Sequence, residues 1–403
     1  MKSALLAAAA MLLVATPALA DTHFDNAEGL SIRADGGVDR FAGMVVDDEG
    51  RILQLLDFGD RPTSEIDFYV DLAGRTVVPG FIDSHAHVMD LGLSRLSLDL
   101  SGAASLEQAL AMVAAYAAEY PGRPWLVGTG WNEERWGLGR LPTAADLDAA
   151  SDGRPVVLER ADGHALWANS LALENAAITA QTADPAGGRI IRRAGSRAPA
   201  GVLVDNAMTL LLAVVPPPRP GDMDLALHQA QRAFFSHGVT AVADMGTSIE
   251  DWMAFRRAGD ADRLSLRIMS YADSVPTMLL IGGPEPTGWL YQDRLRLNGV
   301  KFWLDGALGS RGALLKAPYA DEPGHRGLAV LDGTQLRNSM SRAAMDGFQV
   351  AIHAIGDAAN ADALAAIDQL APDFPGDRRW RIEHAQVVDP ADIALFGQHG
   401  VIA

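Results

Sequence analysis

The stretch "PGFIDSHAHV" (79–88) places His85 and His87 one residue apart at the end of an apolar run. In a β-strand, residues i and i+2 face the same side, so the two imidazoles project together. Side by side they make a poor core pair but a good pair of ligands for zinc or a similar divalent ion. Two more histidines fall late in strand-like runs, His353 in "FQVAIHAIGD" and His384 in "RWRIEHAQV". Lys301 lies in the apolar "GVKFWLDG". A lysine among apolar neighbours is costly unless it is neutral or modified, and a metal beside it gives a reason for its presence.

These residues need a fold that brings them together. Residues 27–79 read as short strands with "DDEG" as a turn, a small β-sandwich-like domain over 21–79. From residue 80 the pattern becomes strand, helix, strand, which points to a parallel sheet. The residues from about 100 to 235 read as an insertion after the first strand. It holds a helix over 105–120 with Ser105 as its cap, strands at 124–131 and 154–164, and loops or a lid over 181–222. With that segment set aside, 80–403 carries strands one to six, and "VIA" at 401 begins a seventh. That count predicts a (β/α)8 TIM-like barrel, incomplete. The periodicity alone also allows an open doubly wound sheet. Histidines from three different strand ends select the barrel, because its C-terminal strand ends converge on one mouth.

Composition narrows the class. Over 403 residues, 49% are hydrophobic and 21% charged, as in a globular protein. The formal charge of −18, without a basic cluster, argues against nucleic-acid or anionic-membrane binding. The start, "MKSALLAAAAMLLVATPALA", has a basic residue, an apolar run and a small-residue "ALA" site. It reads as a signal peptide over 1–20, too short for a membrane anchor, and predicts a periplasmic or secreted protein. The absence of cysteine excludes disulfides, thiolate ligands and a cysteine nucleophile. Glycine-rich pieces have neither P-loop nor dinucleotide spacing, so no nucleotide cofactor is expected.

Together "PGFIDSHAHV", "VKFWLDGALGSRGALL", "AIHAIGDAAN" and "RIEHAQ" resemble the amidohydrolase superfamily, specifically its YtcJ-like branch (amidohydrolase type 3). "GTGWNEERW" and "ERADGHALWANSLAL" in the insertion extend the resemblance, which runs from about residue 27 to the end. The resemblance implies a metal-dependent hydrolase for non-peptide C–N bonds, such as amides or formamides, with one or two divalent ions, zinc foremost. It implies His85 and His87 on one metal and His353 and His384 on a second or on the substrate oxygen. Lys301 lies between them at a position that is often carboxylated in the superfamily, and Lys301, His353 and His384 form the catalytic set. Metal-activated hydroxide is the implied nucleophile, since a bound metal lowers the pKa of water from about 15.7 toward roughly 7. An ester or phosphotriester hydrolase on the same barrel is the alternative enzyme class. The superfamily also uses an aspartate at the end of strand eight, and Ala403 precedes that strand. The resemblance therefore reads this sequence as C-terminally truncated, with a metal-binding protein without turnover as the third reading.

Candidate substrate contacts are Trp131, His164 and Arg311. Trp131 and Trp136 are aromatic walls for a small-molecule pocket, with burial in the insertion's core the competing role, favoured for Trp136. His164 competes with a loop hydrogen bond, and Arg311, a binder for a substrate carboxylate, with an ion pair to a neighbouring loop. Asp83 either orients a ligand or makes a strand-end hydrogen bond. Asp357 is a helix cap, and His228, His237, His325 and His399 are structural or exposed. The partner expected is a small amide-type substrate; a homo-oligomer is left open.

Overall fold

The computed structural model describes residues 21–403; the expected signal peptide lies outside the described residues. The chain divides into two units after Phe81. In the first, β1 (Thr22–Ile32), β2 (Val38–Phe41), β3 (Gly43–Val46), β4 (Ile52–Leu56) and β5 (Phe68–Val77) make a single five-stranded sheet. The "DDEG" turn closes the β3–β4 hairpin, where the Gly50 amide donates to Asp47 O at 3.0 Å. Gly50 has φ +78°, a conformation that glycine adopts without steric cost.

The second unit is mixed α/β and carries two six-stranded sheets. The insertion supplies β7 (Leu98–Asp99), β8 (Leu126–Trp131), β9 (Val156–Arg160), β10 (Ala165–Ala168), β11 (Gly188–Arg192) and β12 (Pro199–Asp205), in the order β11-β12-β10-β9-β8-β7. The expectation of loops or a lid over 181–222 is therefore corrected in part. β11 and β12 form an antiparallel ladder there, and Val202, Leu203 and Val204 are buried. The surrounding glycines and prolines masked a strand whose consecutive apolar residues are covered on both faces.

The other sheet joins β6 (Phe81–Ala86) to β13 (Val239–Thr247), β14 (Arg267–Ala272), β15 (Leu295–Trp303), β16 (Gln349–Ala354) and β17 (Arg381–His384), in the order β17-β16-β15-β14-β13-β6. β13 to β17 pair in parallel. Helices return the chain between them, and their starts are written in the sequence. Ser248 and Asp251 form a capping box, as do Asp332 and Gln335, and Pro220 opens the helix Pro220–Ser236. Their apolar faces cover Ile268, Val300, Val350 and Ile352, all fully buried, each worth about 1.5–3 kcal/mol against exposure.

The two outermost strands of this sheet meet. Arg381 Nη2 donates to Ser84 O at 2.7 Å, and Glu383 Oε2 lies 2.5 Å from His85 Nδ1. A flat sheet would hold β17 and β6 five strands apart, so the sheet is curled and barrel-like. Beyond β17, Ile402 bridges to Arg381 in parallel. Among the described residues no helix is long and apolar enough to cross a membrane.

Candidate metal centre

Register decides which side chains enter the curl. Side-by-side residues on parallel strands point the same way, and the face alternates along each strand. Tyr271, Gly299 and Gln349 align in one inward row. Lys301, Ala351 and Arg381 make the next, and Trp303, His353 and Glu383 the one above. Gly299 is required by this layering, because a Cβ there would stand 2.5 Å from the Tyr271 ring. His384 follows Glu383 and by parity would face outward. Instead its φ of +71°, with +42° at Ala385, breaks the alternation at the strand end. Its ring lies 4.6 Å from that of His353 and 4.9 Å from that of His85. Left-handed backbone on two non-glycine residues is strain of order 1–3 kcal/mol each, of the kind that gathers at functional sites.

His85 and His87 stand with ring centroids 5.3 Å apart, His87 at the cap position of the helix Val88–Ser94. Asp83 makes the strand-end hydrogen bond, accepting from the His85 amide at 3.0 Å. The five residues expected to bind metal, His85, His87, Lys301, His353 and His384, thus lie around one centre. Burial and the neighbouring Lys301 and histidines push His87 down to about 4. Burial and His384 push His353 down to about 2, and burial and His85 push His384 down to about 4. Burial lowers Lys301 to about 8. The centre therefore collects neutral imidazole lone pairs beside a readily neutralised amine.

Two carboxylates unmarked in the sequence complete the surroundings. Burial would raise Glu383, but hydrogen bonds from His85 and Arg381 hold it at about 2. Asp205 accepts from His164 Nδ1 at 2.8 Å and is nearly fully buried. The His164 ring lies 5.2 Å from that of His353, so the insertion adds a fifth histidine to the centre. Burial would depress His164, yet Asp205, with Asp162 and Asp305, outweighs it and holds its pKa above the ordinary value. Asp305 binds the loop over the centre, accepting from the amides of Leu314, Ile355 and Gly356.

Two expected substrate contacts lie elsewhere. Trp131 is fully buried in the insertion's core, its ring 6.1 Å from that of Trp167 and its indole N–H donated to Leu158 O at 2.8 Å. A bulge at Gly130, where the register with β9 shifts between Thr129 and Trp131, breaks the alternation of β8 and turns the ring into that core. Trp131→Phe is expected to lower stability by about 1–3 kcal/mol, since it removes a buried hydrogen bond and leaves unfilled the volume the larger indole occupies. Urea unfolding would check this, and an altered KM at unchanged stability would restore the pocket role. Arg311 is engaged with Asp321 at 2.5 Å and faces Glu322 at 3.7 Å. It lines a cavity of about 300 Å³ with Arg160, Arg189 and Ser310, where acidic partners already satisfy the guanidinium. The carboxylate-binding role expected of it has no free donor set here.

The residues around the centre fit a divalent cation. His85 Nε2 and Lys301 Nζ are buried without a hydrogen-bond partner, an arrangement that costs free energy unless something binds them, and His353 Nε2 has only Asp305 Oδ1 at 3.5 Å. Among the described residues, the one group of three or more acidic or histidine donors drawn within 4.8 Å is the surface turn Asp47, Asp48 and Glu49.

Residues 69–403 match the amidohydrolase family. The YtcJ protein of Bacillus subtilis (strain 168) is 34% identical over 342 residues, covering 82% of this chain and 62% of that protein. N-substituted formamide deformylase of Arthrobacter pascens is 28% identical over 353 residues, covering 81% of this chain and 61% of that protein. The chain thus spans just over three fifths of each of these relatives. The crystal structure of an uncharacterized metal-dependent hydrolase from Pyrococcus horikoshii OT3 superposes with a TM-score of 0.69 at 25% identity, covering 95% of this chain and 74% of that one.

Proposed function

Because the chain belongs to the amidohydrolase family, in its YtcJ-like branch, and is thus a hydrolase by family, we propose that it hydrolyses a non-peptide carbon–nitrogen bond in a small amide or N-substituted formamide. The observation that carries this reading is the pair of buried donors without a hydrogen-bond partner, His85 Nε2 and Lys301 Nζ, beside His353 Nε2, which has only Asp305 Oδ1 at 3.5 Å. One or two divalent ions, zinc foremost, would be held by His85 and His87 on one side and His353 and His384 on the other. Lys301, whose pKa lowered to about 8 gives it a neutral fraction near pH 7, is the site for carboxylation between them. Such an ion supplies Lewis-acid chemistry there, making hydroxide accessible near neutral pH and polarising a carbonyl. His164, oriented by Asp205, borders the centre and contacts the substrate. In the net reaction water gives its hydroxyl to the acyl carbon, the C–N bond breaks, and the nitrogen leaves as an amine after taking up a proton. The sheet is read as strands one to six of a (β/α)8 barrel, with Ile402 opening the seventh. A signal peptide over 1–20 sends the protein to the periplasm or outside, so the mature N-terminus is expected at Asp21 by N-terminal sequencing.

The test is hydrolysis of N-substituted formamides and simple amides, with esters and phosphotriesters in parallel, before and after chelation. Amide turnover that is lost on chelation and restored by Zn2+ is expected. Turnover of esters alone would move the enzyme to the other hydrolase class, and chelator-insensitive turnover would overturn the metal assignment.

A further inference from the structure

Glu383 is held from both sides. Arg381 Nε donates to its Oε1 at 2.7 Å and Arg381 Nη2 to its Oε2 at 2.9 Å, while His85 Nδ1 lies 2.5 Å from Oε2. The guanidinium is itself anchored, with Nη2 on Ser84 O at 2.7 Å and its face 5.6 Å from the Tyr271 ring centre. A carboxylate gripped in this way is an acceptor only, so the hydrogen it shares with His85 belongs to Nδ1. In the neutral imidazole the lone pair of His85 is then on Nε2, the buried atom without a partner. His87 has no comparable restraint, since its nearest acid, Asp90, stands 3.6 Å away and 81% exposed.

We propose that Arg381 and Glu383 form a positioning clamp that holds His85 as its Nδ1–H tautomer and presents Nε2 for metal ligation. This rests on the metal-binding reading above and adds residues that act through His85. The clamp reaches from β17 to β6, so it also fixes how far the two outermost strands stand apart where the ligands converge.

Two measurements separate the clamp from a mere ion pair. In metal-free protein labelled with 15N-histidine, two-bond 1H–15N correlation spectra, assigned with His85→Ala, are expected to show the Nδ1–H tautomer for His85. Glu383→Ala should lose that pattern. Zn2+ affinity by competition with a chelating dye should fall about 10- to 100-fold in Glu383→Ala. Glu383→Gln, nearly isosteric and still able to accept, is expected to fall between the two and guards against a folding defect in the alanine variant. Arg381→Lys, which keeps the charge but not the fork, should also be intermediate. An unchanged His85 tautomer in Glu383→Ala, or wild-type zinc affinity in both Glu383 variants, overturns the clamp. A wild-type chain with the Nδ1–H pattern but no zinc uptake overturns the metal reading, and with it the presenting role, leaving the tautomer lock in place.

Discussion

Replacing His85 by alanine is expected to remove at least one equivalent of bound metal and to reduce amide hydrolysis roughly a thousandfold or more. That loss corresponds to about 4 kcal/mol of transition-state stabilisation, within the several kcal/mol a catalytic metal supplies. The size follows from position. His85 Nε2 is buried and unpartnered, and the His85 ring is within 5.3 Å of His87 and 4.9 Å of His384. No other side chain of β6 can take its place, because Asp83 is committed to the His85 amide. Folding should survive, since Glu383 keeps its two contacts to Arg381, and the metal-free variant should lie within about 1 kcal/mol of metal-free wild type. Elemental analysis and thermal unfolding with and without chelator would decide. Chelation should lower the Tm of the wild type much more than that of the variant. Full metal content in His85→Ala would mean that the remaining histidines suffice and that His85 is not a ligand.

The part of this centre legible in the sequence was the part that local spacing encodes. His85 and His87 share a face by i, i+2 alternation, and His353 and Lys301 fall inside apolar runs whose ends a barrel gathers. The rest depended on register and on backbone irregularity. Glu383, not His384, is the inward residue of β17, and this follows only once β17 is aligned so that Glu383 lies beside His353. His384 joins through a left-handed turn that no propensity signals. Trp131 shows the converse limit, because an aromatic beside a glycine-rich turn fits a pocket wall as well as a core until its partner Trp167 is known. Asp205 lies 41 residues from His164. They meet because β10 and β12 pair with Ala165 opposite Val204, a long-range ladder that composition does not disclose.

Gly306→Ala is expected to reduce kcat/KM about a hundredfold while leaving the zinc content intact. A Cβ on residue 306 would stand 2.5 Å from Asp205 Oδ2 and 2.6 Å from Oδ1, far inside contact distance. The carboxylate has no room on its other side, where a Cβ on Gly312 would lie 2.3 Å from Oδ2. Asp205 is also held by its own backbone, at φ +49°, and by its amide hydrogen bond to His164 O at 3.1 Å. Its carboxylate must therefore shift, and the His164 ring it holds must shift with it. A displacement of order 1 Å in a positioning group is worth about a hundredfold in rate. The same overpacking should cost about 1–3 kcal/mol of stability. Asp205→Ala should match the loss of activity, because His164 then has no orienting acceptor. The double variant distinguishes this cause from others. If the glycine exists to admit the carboxylate, Gly306→Ala should destabilise little once Asp205 is alanine, and the coupling should approach the whole cost of the single change. Additive stability losses would mean that Gly306 serves the turn itself, where its amide donates to Gly312 O at 3.2 Å. Rate losses that multiply would likewise separate His164 from the loop, whereas rate losses that do not would join them in one device that carries a histidine from the insertion to the strand ends where His85, His353 and His384 converge.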